Sequence, residues 1–301
     1  YGVQKKANTS EFEKEKADYE LQKNKLSLQV AKTYEQIVYW QHQERLYSYL
    51  DSLYQNFSKA SDRRFELGET NYLEKITAQS KYRQIKTKLT QINFEKKAQY
   101  ESLQALVQSD EKISILEKEL VPIPTLDTTS NKAIHTAYLE SISKMYKSQI
   151  SLQKQHWLPD LNLEYFQGRN NGLSQSLYGF QVGIAVPILF SGNVSKTKVA
   201  QLESQSWEEQ KQNQEQKMTQ FIRQQQNEIA KYQESINYYN ATGKKLSEEI
   251  IKVANSSYKN GEIDFFQYIQ SLENAVAIKI EYVEAVLQFN SNQLELHYLN
   301  F

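Results

Sequence analysis

The sequence predicts a mainly α-helical protein: long antiparallel coiled-coil helical hairpins in two structural repeats, with one β-hairpin inserted. Three observations predict it. Only nine glycines and four prolines occur in 301 residues, which leaves long stretches without a helix breaker. Apolar residues recur at alternating threes and fours over most of the chain. Strict apolar/polar alternation is confined to one short segment.

The first helix is expected from about Gln4 to Leu67, a run without proline that would span about 95 Å at 1.5 Å per residue. It ends at Leu67-Gly68-Glu69, where glycine at the C′ position closes a helix and Asn71 caps the next one. The second is expected from Tyr72 to about Glu119, on the spacing of Tyr82, Ile85, Leu89 and Ile92. Pro122 and Pro124 then break the pattern. Residues 1–121 are accordingly read as a first helical-hairpin repeat, 122–131 as a linker and 132–301 as a second repeat.

A third helix is expected from Lys132 to His156, capped by Ser130 or Asn131 and stopped before Pro159. The segment 158–190 follows as the β-hairpin. Leu161, Leu163 and Tyr165 alternate with polar residues, as do Phe180, Val182, Ile184 and Val186 with Gln181, Gly183 and Ala185; the polar stretch 167–176 is its loop. The fourth helix, about 193–260, has the clearest heptad: Met218, Ile222, Gln225, Ile229, Tyr232, Ile236, Tyr239, Gly243, Leu246, Ile250 and Val253. It ends at Asn260-Gly261-Glu262, and Asp264 caps the last helix, about 265–298. That helix has two apolar flanks, one through Ile269, Val276, Val283 and Leu287, the other through Ala275, Ile278, Tyr282 and Phe289.

Sliding the chain along itself until Gly68 lies over Gly261 also superposes Lys5 on Lys198, Ala7 on Ala200, Glu35 on Glu228, Tyr39 on Tyr232, Leu53 on Leu246, Glu69 on Glu262 and Ile76 on Ile269. The chain reads as two copies of one helical hairpin.

Composition excludes several function classes. Thirty-six basic and 36 acidic residues cancel, which leaves no cationic field for nucleic acid. The absence of cysteine excludes disulfides, thiolate metal sites and thiol catalysis. His42, His135, His156 and His297 have no ligand-like spacing, and with Met145 and Met218 the only methionines no metal site is expected. Neither a catalytic constellation nor a cofactor motif occurs. The glutamines between Gln201 and Gln226 and the Glu/Lys runs are read as water-facing helix surfaces. No run of apolar residues is long enough for a membrane helix, and the start has neither Met nor an apolar signal core, so a processed chain or a fragment is expected.

The stretches "LPDLNLEYF" and "GFQVGIAVPILFSG", with the turns "RFELGETNYLE" and "YKNGEIDFFQ", resemble the TolC-like outer-membrane efflux channels over nearly the whole chain. The resemblance implies that the helical hairpins are staves of an α-barrel. It also implies a homotrimer whose β-barrel takes four strands from each protomer, so that the first strand pair is missing here. Leu161, Leu163, Tyr165, Val182, Ile184 and Val186 would face outer-membrane lipid. Leu67, Gly68, Glu69, Asn260, Gly261 and Glu262 would form the periplasmic tip where a periplasmic adaptor (membrane fusion) protein docks. Arg64, Glu74, Tyr258, Gln267 and Gln270 would form the pore constriction and its gate, with the three Glu74 carboxylates favouring cations. The implied function is a passive exit duct serving an inner-membrane pump of the RND type. The C-terminal stretch 268–299 is similar to copies associated with heavy-metal cation pumps. A type I secretion duct is a neighbouring reading, and the competing one is a soluble or peripheral coiled-coil scaffold or adaptor, in which protein would cover the apolar face of the hairpin.

Overall fold

Long helices dominate because almost nothing interrupts them. The computed structural model describes residues 2–117, 119–169, 176–186 and 191–299. The elements are α1 (Gly2–Glu66), α2 (Tyr72–Val107), α3 (Thr129–Gln155), β1 (Asp160–Arg169), β2 (Ser176–Ala185), α4 (Ser191–Tyr238), a π-helical turn (Tyr239–Gly243), α5 (Lys244–Lys259) and α6 (Phe265–Tyr298). The loop residues 170–175 and the Pro187 end of the hairpin lie outside the described residues.

The chain divides into two compact units, residues 1–22 with 132–219 and residues 23–131 with 220–301. In the first, small side chains let helices approach closely. The Ser10 and Ser148 hydroxyls touch, and each also donates to a carbonyl of its own helix, Ala7 and Met145 respectively, at 2.8 Å. Ala7 and Ala200, partners in the internal repeat, are both buried. Two tryptophans satisfy their N–H groups on hydroxyls: the half-buried Trp207 donates from Nε1 to Ser143 Oγ at 3.0 Å, and Trp157, whose ring stays exposed, donates from Nε1 to Thr197 Oγ1 at 3.2 Å.

The second unit has two apolar cores. One gathers Val38, Tyr39, Leu120, Ile236, Val283 and Val286. The other gathers Leu50, Tyr54, Ala78, Ala254, Phe265 and Leu272. Both draw on α6: Ile269, Val276, Val283 and Leu287 of one expected flank are buried, as are Ala275 and Phe289 of the other, while Ile278 and Tyr282 are half-buried.

Three expectations are corrected. Helix α2 stops at Val107 rather than near Glu119: Gln108 adopts a left-handed φ of 50°, and the N–H groups of Gln108 and Ser109 return to Ala105 and Gln104. A non-glycine C-cap carries no composition signal. Residues 109–117 and 119–128 have no regular structure, and this stretch is held by Asn290, which is fully buried. Asn290 Oδ1 accepts the Ile123 N–H at 3.0 Å, while its Nδ2 donates to the Val121 carbonyl at 2.9 Å and to Glu35 Oε2 at 2.7 Å. Pro122 and Pro124 have no N–H, so Ile123 is the one donor of that tripeptide needing a partner.

Second, α3 begins at Thr129, inside the expected linker, and Ser130 and Asn131 do not cap it. The Asp127 carboxylate accepts from the Thr129 N–H and hydroxyl, whereas Asn131 is buried between Asn24 and the His297 carbonyl. Third, the fourth helix contains the π turn at 239–243, which inserts one residue. Beyond it the buried stripe moves by one position: Ser247 and Ala254 are buried, while Leu246 and Val253 are 40% and 54% exposed. Gln225, a polar heptad position, is buried and donates to Glu295 at 3.0 Å.

Candidate functional site at the two glycine turns

Helices α1 and α5 end in the same way. Gly68 (φ 72°) and Gly261 (φ 75°) take the left-handed conformation at C′. The N–H groups of Gly68 and Glu69 bond the Phe65 and Arg64 carbonyls at 3.0 and 2.8 Å, and those of Gly261 and Glu262 bond Tyr258 and Ser257 at 3.1 and 2.8 Å. Each is a Schellman closure satisfying two otherwise orphaned carbonyls. A Cβ on either glycine would meet no atom within 4 Å, so φ alone demands glycine. All six apical residues, Leu67, Gly68, Glu69, Asn260, Gly261 and Glu262, are exposed. Glu262 is folded back onto Ser257 and Asn260. The first turn carries more exposed apolar surface, from Leu67, Tyr72, Leu73 and Ile76, than the second, where Phe266 alone is exposed beside the apex.

Behind the first apex Arg64, Glu74 and Tyr258 meet. Arg64 Nη1 donates to Glu74 Oε1 at 3.0 Å and to Tyr258 Oη at 2.9 Å, while Thr70 Oγ1 donates to Glu74 Oε2 at 2.5 Å. Glu74 is buried, with both carboxylate oxygens occupied. The guanidinium thereby ties the α1–α2 hairpin to α5 of the other repeat. Burial pushes the Tyr258 hydroxyl above its ordinary pKa, opposed by the Arg64 charge. Its ring stacks on Tyr268 at 4.7 Å and lies 5.4 Å from Phe57. A second tie between the repeats, which sequence reasoning missed, runs from Lys81 Nζ on α2 to Glu273 Oε1 on α6 at 2.5 Å. Opposite charges this far apart in the chain leave no local signal.

Gln267 and Gln270 are not brought to this cluster. Gln267 completes a capping box: Asp264 Oδ1 accepts its N–H at 2.8 Å and its own Oε1 accepts the Asp264 N–H at 3.0 Å. Gln270 donates to Asn274 on its own helix at 3.0 Å. Of the histidines, His42 accepts the Leu120 N–H at 3.4 Å, and its pKa is lowered first by burial and then by Arg45. Among the described residues no three metal-ligating side chains gather.

In the β-hairpin, Leu161 pairs with Ile184, Leu163 with Val182 and Tyr165 with Phe180, so these six share one face. All are exposed, Leu163 to 80%, as is Val186, and no described residue covers them. The opposite face carries Asn162, Glu164 and Gln181, with the Phe166 ring lying over Gly179 where a Cβ would stand 2.5 Å from it. Among the described residues no helix is long and apolar enough to cross a membrane.

The fold is that of known outer membrane channels. The Campylobacter jejuni CmeC outer membrane channel matches with a TM-score of 0.80 at 15% identity, covering 99% of this chain and 68% of its own. The Vibrio cholerae outer membrane protein VceC matches at 0.83 and 16% identity over 98% and 73%. The open state of the Neisseria gonorrhoeae MtrE outer membrane channel matches at 0.77 and 15% identity over 98% and 70%. No curated protein sequence matches the chain. The outer membrane efflux protein profile matches residues 143–299, which include the hairpin, the π turn and the second glycine turn, and with more than half its length matched the chain belongs to that family.

Proposed function

We propose that this chain forms staves of a trimeric exit duct in the outer membrane of a Gram-negative bacterium, with its helices in the periplasm. A periplasmic adaptor protein docks at the exposed turns, and an inner-membrane pump of the RND type delivers the substrate. The family is one of transport ducts rather than enzymes, so the work lies in opening and closing.

The observation that carries the reading is the Arg64–Glu74–Tyr258 cluster tying the two hairpins behind the apex. In the closed duct it holds the second hairpin against the first. Hydrogen bonds to charged groups contribute about 1.5–3 kcal/mol each, and the partly exposed Arg64 places this cluster at the lower end. Three protomers multiply that term. An adaptor that binds the open arrangement better by a comparable amount shifts the population to it. The exposed Leu67, Tyr72, Leu73 and Ile76 at the first turn provide apolar contact for it. The exposed strand face suits lipid better than a scaffold's interior, which favours the duct over the coiled-coil alternative.

The test is single-channel conductance of the complete protein in planar bilayers. Arg64→Ala and Tyr258→Phe should each raise conductance, and unchanged conductance in both would remove the gate. Within this reading heavy-metal cations are the proposed cargo, supported by the likeness of the C-terminal stretch. Host sensitivity to copper, silver, zinc and cobalt on deletion checks it.

A further inference from the structure

A groove of about 840 Å³ opens where the π turn faces α6, away from the glycine turns. Its size is that of a small-molecule site. Tyr39, Tyr232, Tyr238, Tyr239 and Tyr282 line it. Glu234, Glu281 and Glu284 line it as well, all three exposed and none with a hydrogen bond or ion pair among the described residues. No lysine or arginine is in the lining, in a chain whose charges balance overall.

The π turn borders this surface. Tyr238, the last residue of α4, is exposed, and Tyr239, the first of the turn, is half-buried and stacked on Tyr282 at 3.9 Å. Gly243 lets the turn pack closely, since a Cβ there would stand 3.2 Å from Ile278 and 3.3 Å from the Tyr238 and Tyr239 rings, tight enough that these side chains would have to shift. A π turn sacrifices regular helix packing and recurs at functional sites.

We propose that this groove binds a small organic cation, a primary amine or quaternary ammonium, between tyrosine faces and the unpaired carboxylates. The rim already shows the chemistry at work: the Lys231 ammonium lies 4.3 Å from the Tyr232 ring centroid and bonds the Glu228 carboxylate. Tyrosine faces attract cations through their quadrupole, and carboxylates without a protein partner leave the charge of a ligand to be neutralised. A groove for an anion would need donors that this lining lacks, and an apolar ligand would leave three carboxylates desolvated without compensation. The site stands independently of the gate, of the cargo and of the pump.

The probe is choline, titrated into the complete protein in detergent and followed by saturation-transfer NMR at its N-methyl protons, with the neutral isostere 3,3-dimethylbutanol and Mg²⁺ as comparators. Saturable binding of choline is expected, with none of dimethylbutanol. Tyr238→Leu keeps apolar bulk and should weaken binding roughly two- to fivefold. Glu281→Gln combined with Glu284→Gln should weaken it by roughly fivefold or more, since both charges act on one ligand. These side chains are exposed and bond nothing, so the variants fold, which circular dichroism verifies. The proposal is overturned if dimethylbutanol binds equally, if Mg²⁺ displaces choline at equal concentration, if the variants bind as the parent does, or if choline finds no access because a second copy of the chain covers the groove.

Discussion

The two glycine turns share a backbone and differ in chemistry. Gly68 and Gly261 have φ within a few degrees, the same pair of Schellman bonds and an Asx cap three positions on. The internal repeat sets Arg64 over Ser257, Phe65 over Tyr258 and Glu74 over Gln267. In the first turn the position three residues into the new helix is a buried carboxylate spent on Arg64 and Thr70; in the second it is an amide spent on its own cap. Chain reversal is thus a property of both repeats. The arginine-centred tie behind the apex is anchored in the first repeat and reaches the second through Tyr258.

The largest break in this comparison should come from Arg64→Ala. It removes the charged donor from a buried carboxylate, which keeps only Thr70, and the Arg64 bond from a half-buried tyrosine, at a cost of about 2–3 kcal/mol. Ser257→Ala, the same position in the other turn, loses one exposed bond to Glu262 and should cost less than about 0.5 kcal/mol. Urea unfolding of both variants measures the difference, and equal losses would mean the two turns are energetically alike.

Gly68→Ala and Gly261→Ala come next and should match each other. Forcing a β-carbon into the left-handed region costs about 1–2 kcal/mol, and neither site adds a steric clash. A disparity greater than about 0.5 kcal/mol would show that something beyond backbone conformation distinguishes the apices. Smaller again is the capping pair. Asn71→Ala removes one bond and should cost about 1 kcal/mol, while Asp264→Ala dismantles a reciprocal box and should cost somewhat more. Thermal melts of the two variants order them.

The same contrast explains what could be read in the sequence. The turns were legible because φ above zero calls for glycine and orphan N–H groups call for Asn71 and Asp264, both local demands written in local residues. Helix α6 was legible because its two flanks repeat over nine turns. The segment between Val107 and Thr129 was not, for Gln108 supplies the left-handed cap without glycine, and Asn290, which pins the strap, stands 167 positions from the Ile123 N–H it accepts. Hydrophobic periodicity says nothing about such a partner. The π turn was missed because the heptad template carries straight across Gly243. One inserted residue then turned Leu246 and Val253 outward and set Ser247 and Ala254 in their place. Of the five residues that the resemblance assigns to a constriction, the Arg64, Glu74 and Tyr258 side chains converge, whereas Gln267 and Gln270 stay with their own helix.

Reciprocal exchange of the two differing side chains should give the smallest effect in one direction only. Gln267→Glu keeps an acceptor oxygen for the Asp264 N–H and adds a negative charge to the first turn of a helix, where the dipole favours it. Asp264 beside it supplies a like charge that offsets this gain, so stability should change by less than about 0.5 kcal/mol. Glu74→Gln preserves shape and the Asn71 cap, which uses only its backbone, but leaves Arg64 facing a neutral amide in a half-buried site. It should therefore lose about 1–2 kcal/mol, the difference between a charged and a neutral hydrogen-bond partner. Double-mutant cycles of Arg64→Ala with each exchange separate the cases: coupling to position 74 and none to position 267 is the expected result. Coupling to both would mean that the guanidinium also reaches the second cap, and the asymmetry between the turns would then be one of degree.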